Sequence, residues 1–457
     1  MGVSLPPGFR LVLDPGVRRI DSGRVVVGGS PLRLLRLTAA GARFVDSLDA
    51  GGAVPSSSGA QALARRLLGA GIAHPRPPAM AGTIAVVIPV RDGRVPDVDG
   101  AVVVDDGSRT PIPGAIRHDR PRGPAAARNT GWRATTAPFV AFLDADCDPA
   151  DDWLAVLVRH FADPQVAAVA PRVLSTGAGQ IGAYEATRSP LDLGTREAPV
   201  RPRSRVPFVP TTALVVRHSV LEELDGFDER LRFGEDVDLV WRMVERGYTV
   251  RYEPATVVRH PARPTLTGWL RQRFEYGTSA APLAARHPGA LAPLAVSSWS
   301  AASWGLVAIG QPLAGAAVAG ATTALLAPRL RGLDHPWQEA ARLAGAGHVR
   351  AGTQIANAVR RAWWPLGLGA ALVSRRARWA LAVAFLPAAL DPLRILDDLA
   401  YGAGVWAGCI RGRSAAALMP DLSTWPGRGQ AVEMAVAAVA MSATQVSGDS
   451  TTESIFR

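Results

Sequence analysis

The sequence contains no lysine; all 50 of its basic residues are arginine. Abundant alanine accompanies this, and the pair reads as the codon bias of a GC-rich gene, which weakens any special reading of single arginines. Cysteine is almost absent. Cys147 and Cys409 stand far apart and form no CxxC pair, so neither a disulfide framework nor a zinc site is implied. Such scarcity suits a reducing compartment. Aromatic residues are 6% of the chain. The arginines are scattered without the aromatic interleaving of a nucleic-acid surface, so no nucleic-acid partner is expected despite a net charge of +11. The opening residues, MGVSLPPGFRLVLDPG, lack the basic-then-apolar pattern of a secretory signal. The catalytic part is therefore expected in the cytoplasm. No internal repeat is evident.

What is present is a large apolar reserve: 48% of 457 residues, enough for two or three domains. Residues 1–74 read as a small α+β module. Val25–Val27 and Leu32–Leu37 are strand-like, Thr38 is an N-cap for a helix to Leu48, and a second helix covers about Gln61–Leu68. The arrangement is that of a winged-helix-like module of the kind that holds precursor peptides, or of a structural appendage. His74–Pro78, HPRPP, reads as a stiff linker. Then come TIAVVIPV (83–90), AVVV (101–104), FVAFL (139–143) and Val166–Val169, with helical stretches at Pro124–Ala134 and Asp152–Phe161. Strands alternating with helices predict an α/β domain on a mostly parallel sheet over 81–285.

Residues 288–426 are expected to form an apolar helical part. Between Pro288 and Pro328 no side chain is charged, and a break at Gln311-Pro312 allows two short membrane spans, with arginines on both flanks. A buried hairpin of a soluble domain is the competing reading. Two shorter apolar runs, Ala362–Val373 and Trp379–Leu390, suit a membrane interface. The segment 427–457 is read as a tail, disordered at its end.

The candidate chemistry sits at the strand ends. Asp144-Ala145-Asp146 follows FVAFL, where a carboxylate pair can hold a hard divalent cation, Mn2+ or Mg2+. Strand 101–104 ends in Asp105-Asp106-Gly107-Ser108, and a carboxylate there can meet a nucleotide base, although an ordinary Asp-Gly turn would look the same. Strand 84–90 ends in Pro89-Val90, whose backbone can face that base. Arg128, in Ala127-Arg128-Asn129 on a predicted helix, can steady the donor or the acidic cluster, although a plain surface arginine would look the same. Gly234-Glu235-Asp236-Val237-Asp238 opens a helix whose dipole is expected to keep a carboxylate ionised, as suits a general base; a simple acidic cap is the bland alternative. Arg271 and Arg273, in WLRQRFEYG, can bind a diphosphate or line an acceptor channel.

Taken in order, VIPV, VDDGS, ARNTG, FLDADCDP, GFDE and GEDVDLVWR resemble the family-2 glycosyltransferases over about 200 residues. The resemblance implies a Rossmann-like GT-A fold, a nucleotide-diphosphate sugar donor and inversion at the anomeric carbon. It further implies that Asp106 contacts the base, that Asp144 and Asp146 hold the pyrophosphate through the metal, and that Asp236 is the base with Glu235 beside it. Some members of the family carry a metal-binding histidine at the place of His260, after the strand-like Val257-Val258, where a hydrogen-bonded surface histidine would look the same. The whole layout is similar to the subgroup that matures mycofactocin in actinobacteria. That implies a UDP-glucose donor and an acceptor derived from a ribosomal peptide. Two alternatives stand: a membrane-bound transferase of cell-envelope glycan or polyprenyl-phosphate sugar, with a lipid-linked acceptor, and a non-catalytic peptide-binding scaffold. The scaffold reading draws on one departure. Only Arg91–Gly100 separate the first two strands, too few for the helix the family places there.

Overall fold

The structure, a computed structural model, describes residues 3–422; the tail expected at 427–457 lies outside the described residues. The chain divides into two compact units that meet at Pro78 and Ala79.

The N-terminal unit holds strands β1 (Arg10–Leu13), β2 (Arg18–Ile20), β3 (Val25–Gly28) and β4 (Arg33–Arg36), helices α1 (Ala39–Asp49) and α2 (Ser58–Ala70), and strand β5 (Ala73–Arg76). Strands β2-β3-β4 form an antiparallel meander and β1 pairs with β5. Thr38 caps α1 by accepting from the Gly41 N–H at 3.1 Å. Phe9, Leu11, Val26, Leu35, Phe44 and Leu67 form the core. The expected linker is thus partly structure. His74 is buried and hydrogen-bonded to Asp14 at 2.9 Å. Pro75 lies opposite Leu11 in a two-stranded ribbon, which tolerates a residue without an N–H on its open side.

The second unit is built on β6 (Ile84–Val90), β7 (Val102–Asp105), β8 (Ile116–Arg117), α3 (Pro124–Arg133), β9 (Phe139–Leu143), β10 (Asp148–Pro149), α4 (Trp153–Val158), β11 (Val166–Thr176), α5 (Gly179–Arg188), β12 (Ala198–Pro199), β13 (Ala213–Arg217), α6 (His218–Leu224), α7 (Glu235–Glu245) and β14 (Thr249–Pro261). The mixed sheet runs β10-β14-β11-β13-β9-β6-β7-β8, with β12 also on β14. Pairs β6-β7, β6-β9, β7-β8 and β11-β14 are parallel, and β13 is antiparallel to both neighbours. This is the α/β GT-A arrangement. The all-apolar FVAFL is buried along its whole length because both faces of the sheet are covered. Val87, Phe142, Leu214, Leu239 and Tyr252 fill one side; Ile88, Leu143, Leu157 and Val215 fill the other. Residues 91–101 connect β6 to β7 without a helix.

Helices α8 (Leu266–Thr278), α9 (Ala280–Arg286), α10 (Ser298–Ala308), α11 (Pro312–Leu326), α12 (Pro336–Ala340), α13 (Ala346–Ala358), α14 (Trp364–Val373), α15 (Arg375–Phe385) and α16 (Pro392–Arg411) complete the unit. They belong to the same compact body as the sheet rather than to a separate region. The break at Gln311-Pro312 does divide α10 from α11. The expected pair of spans becomes at most one there: Pro312–Leu330 is long and apolar enough to cross a membrane. Helix α10 has 11 residues, about 17 Å, against the roughly 30 Å of a bilayer core. Leu313, Leu372, Val373 and Leu390 are exposed apolar side chains of this part.

Candidate active site

The carboxyl ends of β6, β7 and β9 point to one end of the sheet, where the loop before α3, the start of α7 and helix α8 enclose a cleft of about 1280 Å³. Arg128, Asp144, Glu235, Asp236, Arg271 and Arg273 all line it. Sequence positions more than a hundred residues apart are therefore brought together.

Arg128 is the organising group. Its Nη2 donates to Asp144 Oδ1 at 2.8 Å and its Nη1 to Glu235 Oε1 at 2.9 Å, while Nε has no hydrogen-bond partner. Burial opposes its charge, but Asp144 and Glu235 more than offset this and hold the guanidinium protonated. Its neighbour Asn129 ties α3 to the loop before α7. It donates to Phe227 O at 2.8 Å and Glu229 Oε1 at 3.1 Å, and accepts from Phe227 N at 2.9 Å and Trp132 Nε1 at 3.0 Å. Neither Asn129 nor Glu229 stood out as a site residue in the sequence. ARNTG and GFDE were the visible traces.

Glu235 and Asp236 open α7. Burial works against the dipole that was expected to keep them ionised. Burial pushes Glu235 up to about 7, with Asp236 adding to the rise and Arg128 opposing it. Burial also raises Asp236, against N–H groups of Val237, its own backbone and Thr211. A carboxylate of raised basicity suits proton abstraction better than one held far below neutrality.

Asp146 and His260 are not among the residues that line the cleft. His260 Nε2 lies 3.7 Å from Asp146 Oδ1, and Asp146 is half exposed. Among the described residues no three His, Cys, Asp or Glu side chains are gathered closely enough to hold an ion by themselves. The donor set nonetheless fits a hard cation: Asp144 and Asp146 offer carboxylate oxygens, and an ion such as Mg2+ ordinarily completes its shell with substrate phosphates and water.

Asp106 is engaged elsewhere. Its carboxylate accepts from Arg122 N, Gly123 N and His118 Nδ1, each at 2.8 Å, and His118 in turn meets Thr130 Oγ1 at 2.8 Å. It thereby pins the loop that leads into α3. The Val90 carbonyl accepts from Asp106 N at 2.9 Å. Asp106, Pro89 and Val90 do not line the cleft; Arg91, Arg122 and Gly123 do. His118 was not singled out in the sequence and carries no motif.

Arg271 is exposed at the rim and paired with Glu275 at 2.9 Å. Arg273 is buried, paired with Glu185 and 3.2 Å from Asp397, and lies 6.0 Å from the Tyr276 ring.

Residues 87–225 match the family model described as Glycosyl transferase family 2. The chain is 40% identical over 470 residues to the Pre-mycofactocin glycosyltransferase of Mycobacterium tuberculosis, covering 92% of this chain and 99% of that one. It is 31% identical over 159 residues to Glycosyltransferase AglE of Haloferax volcanii, covering 35% of this chain and 51% of that one. Among solved structures, the mannosyltransferase PcManGT of Pyrobaculum calidifontis matches at 19% identity and a TM-score of 0.41, covering 73% of this chain and 89% of that chain.

Proposed function

The chain belongs to the family-2 glycosyltransferases, and from that membership we propose that it is an inverting, cation-dependent transferase moving glucose from UDP-glucose to an acceptor derived from a ribosomal peptide. The observation that carries the reading is the joining of Asp144 to Glu235-Asp236 through Arg128 in one cleft. It sets a diphosphate-side carboxylate beside a candidate base.

In this reading Asp236 takes the proton of the acceptor hydroxyl as its oxygen attacks the anomeric carbon from the face opposite the leaving group. The bond to the diphosphate breaks, and the electron pair leaves with the phosphate oxygen. Glu235 and Arg128 hold the two carboxylate clusters in register. Asp144 and Asp146, with His260 beside them, would hold the divalent cation, which supplies charge neutralisation of the departing diphosphate. Asp106 acts on the donor end by fixing the 121–123 loop, whose Arg122 and Gly123 face the cleft. Arg273 and Arg271 take the diphosphate or acceptor side. The relative's name supports the acceptor class. The exposed apolar side chains around Leu313 and Leu372 support membrane contact of the C-terminal helices, with the cleft on the cytoplasmic side.

Release of UDP from a panel of nucleotide sugars, with Mn2+ or Mg2+ and with EDTA, tests the proposal. We expect turnover of UDP-glucose that EDTA abolishes and that Asp146→Ala and Asp236→Asn lower by at least about a hundred-fold. Folded protein that neither binds nor turns over any donor would overturn it.

A further inference from the structure

Resting on the glycosyl-transfer reading, we propose that Arg361 and Tyr401, contributed by the C-terminal helices, form a platform for a second hydroxyl-bearing ring of the acceptor, beyond the ring that receives the sugar. The cleft they help to line is larger than one small ligand needs: about 1280 Å³ against roughly 300–1,000 Å³ for a typical pocket.

A continuous set of contacts leads outward from the chemistry. Tyr276 lines the cleft within electrostatic reach of both Asp144 and Asp236. Arg273 lies 6.0 Å from the Tyr276 ring, and its Nε is 3.2 Å from Asp397 Oδ1. Tyr184 donates to the other oxygen of Asp397 at 2.9 Å. The next residue, Asp398, accepts from Arg360 Nε and Arg361 Nη1, both at 2.8 Å. These two adjacent arginines differ sharply in setting. The Arg360 side chain is 2% exposed and completes the helical core, whereas that of Arg361 is 41% exposed and faces the cleft. The Arg361 guanidinium lies 4.5 Å from the Tyr401 ring centroid.

A guanidinium stacked on a phenol ring is a flat surface with N–H donors along its edge. Such a surface fits a ring that presents an apolar face and hydroxyl or ether oxygens at its rim. A sugar and an aromatic aglycone share that chemistry. Asp398 fixes the arginine and Asp397 is held by Tyr184, so the platform is set before a ligand arrives.

The test compares acceptor probes with the donor that the release assay identifies. Methyl β-D-glucoside offers one ring, methyl β-cellobioside adds a second sugar, and 4-nitrophenyl β-D-glucoside adds an aromatic ring. The readout is the ratio of KM for the one-ring probe to KM for each two-ring probe. We expect about ten-fold in favour of at least one two-ring probe in the wild type, and the probe that gains identifies the kind of ring held. Arg361→Ala and Tyr401→Leu should bring the ratio to about one, and Tyr401→Phe should restore it. Should Arg361→Ala fail to fold, Tyr401→Leu against Tyr401→Phe decides alone. A wild-type ratio of one, no transfer to any probe despite donor hydrolysis, or a ratio that survives in both variants overturns the inference. Wild-type protein that releases no nucleotide sinks the glycosyl-transfer reading instead.

Discussion

Asp144 and Glu235 are held by opposite nitrogens of one guanidinium, that of Arg128, at 2.8 and 2.9 Å. Removing it leaves two carboxylates facing each other with no counter-charge. Arg128→Ala is expected to cost about 3–5 kcal/mol of stability, the usual penalty for breaking a buried pair. Arg128→Lys keeps the charge but not the fork, so it should recover part of the stability while nucleotide release stays at least ten-fold down. Denaturant unfolding and the release assay read the two effects separately. Equal stability of Ala and Lys variants would show that the charge itself contributes little.

Glu235 makes stability depend on pH. Its carboxyl is raised from an ordinary 4.5 to about 7, chiefly by burial. Between those values the folded protein binds more protons than the unfolded chain, so the contribution of Glu235 is full below about pH 4.5 and is lost as pH rises toward 7. The loss amounts to up to about 3 kcal/mol. Unfolding free energies of the wild type and of Glu235→Gln, measured over this window, should therefore diverge, the wild type falling relative to the variant. A constant difference would mean that Glu235 titrates near its ordinary value in the folded protein. Asp236 is shifted in the same direction, so a rise of activity with pH toward neutrality belongs to the pair.

The placement of Asp144, Glu235 and Asp236 was legible because it depends on short-range sequence. FVAFL followed by DAD gives both a buried strand and what stands at its end, and GED at a helix start needs only local geometry. The contacts of Asp106 and Arg273 were not legible. Asp106 looks the same in a base contact as in a loop clamp until Arg122 N, Gly123 N and His118 are seen on its oxygens. Arg273 reads in WLRQRFEYG as a ligand for a diphosphate or a lining of an acceptor channel, and only the packing of α5 and α16 shows it buried against Glu185 and Asp397. The strand in HPRPP was missed for a similar reason: pairing with Arg10–Leu13 outweighs the local preference of two prolines for a linker.

Asn129 uses both ends of its amide on the 226–229 loop and Trp132. Asn129→Ala strands the buried Phe227 N–H and O together. At about 1–3 kcal/mol for each unsatisfied group, a loss of about 2–6 kcal/mol is expected. Asn129→Asp keeps the acceptor but loses the donors and sets a charge beside Glu229, so it should be no better than alanine. Thermal unfolding of both variants checks the order; a wild-type-like aspartate variant would show that the acceptor bond alone holds the loop.

Helices α8 and α16 approach closely enough that their backbones touch at glycine. A Cβ on Gly404 would sit on the Phe274 carbonyl, one on Gly277 would meet Tyr401 O, and one on Gly408 would lie 2.6 Å from Thr278 O. These atoms are backbone and cannot swing aside, so each added methyl must push the helices apart. Gly404→Ala is expected to cost about 1–3 kcal/mol, as overpacking usually does. The displacement acts on a particular pair: α8 carries Arg273 and α16 carries Asp397, which stand 3.2 Å apart. Activity should therefore fall by more than the stability loss accounts for, at a temperature where the variant is still fully folded. Gly320→Ala, in α11 where a Cβ would meet nothing within 4 Å, is the matched control and should leave both quantities near wild type. If Gly404→Ala melts lower but keeps full activity when folded, the α8–α16 contact serves stability only, and the C-terminal helices do not hold Arg273 for the reaction.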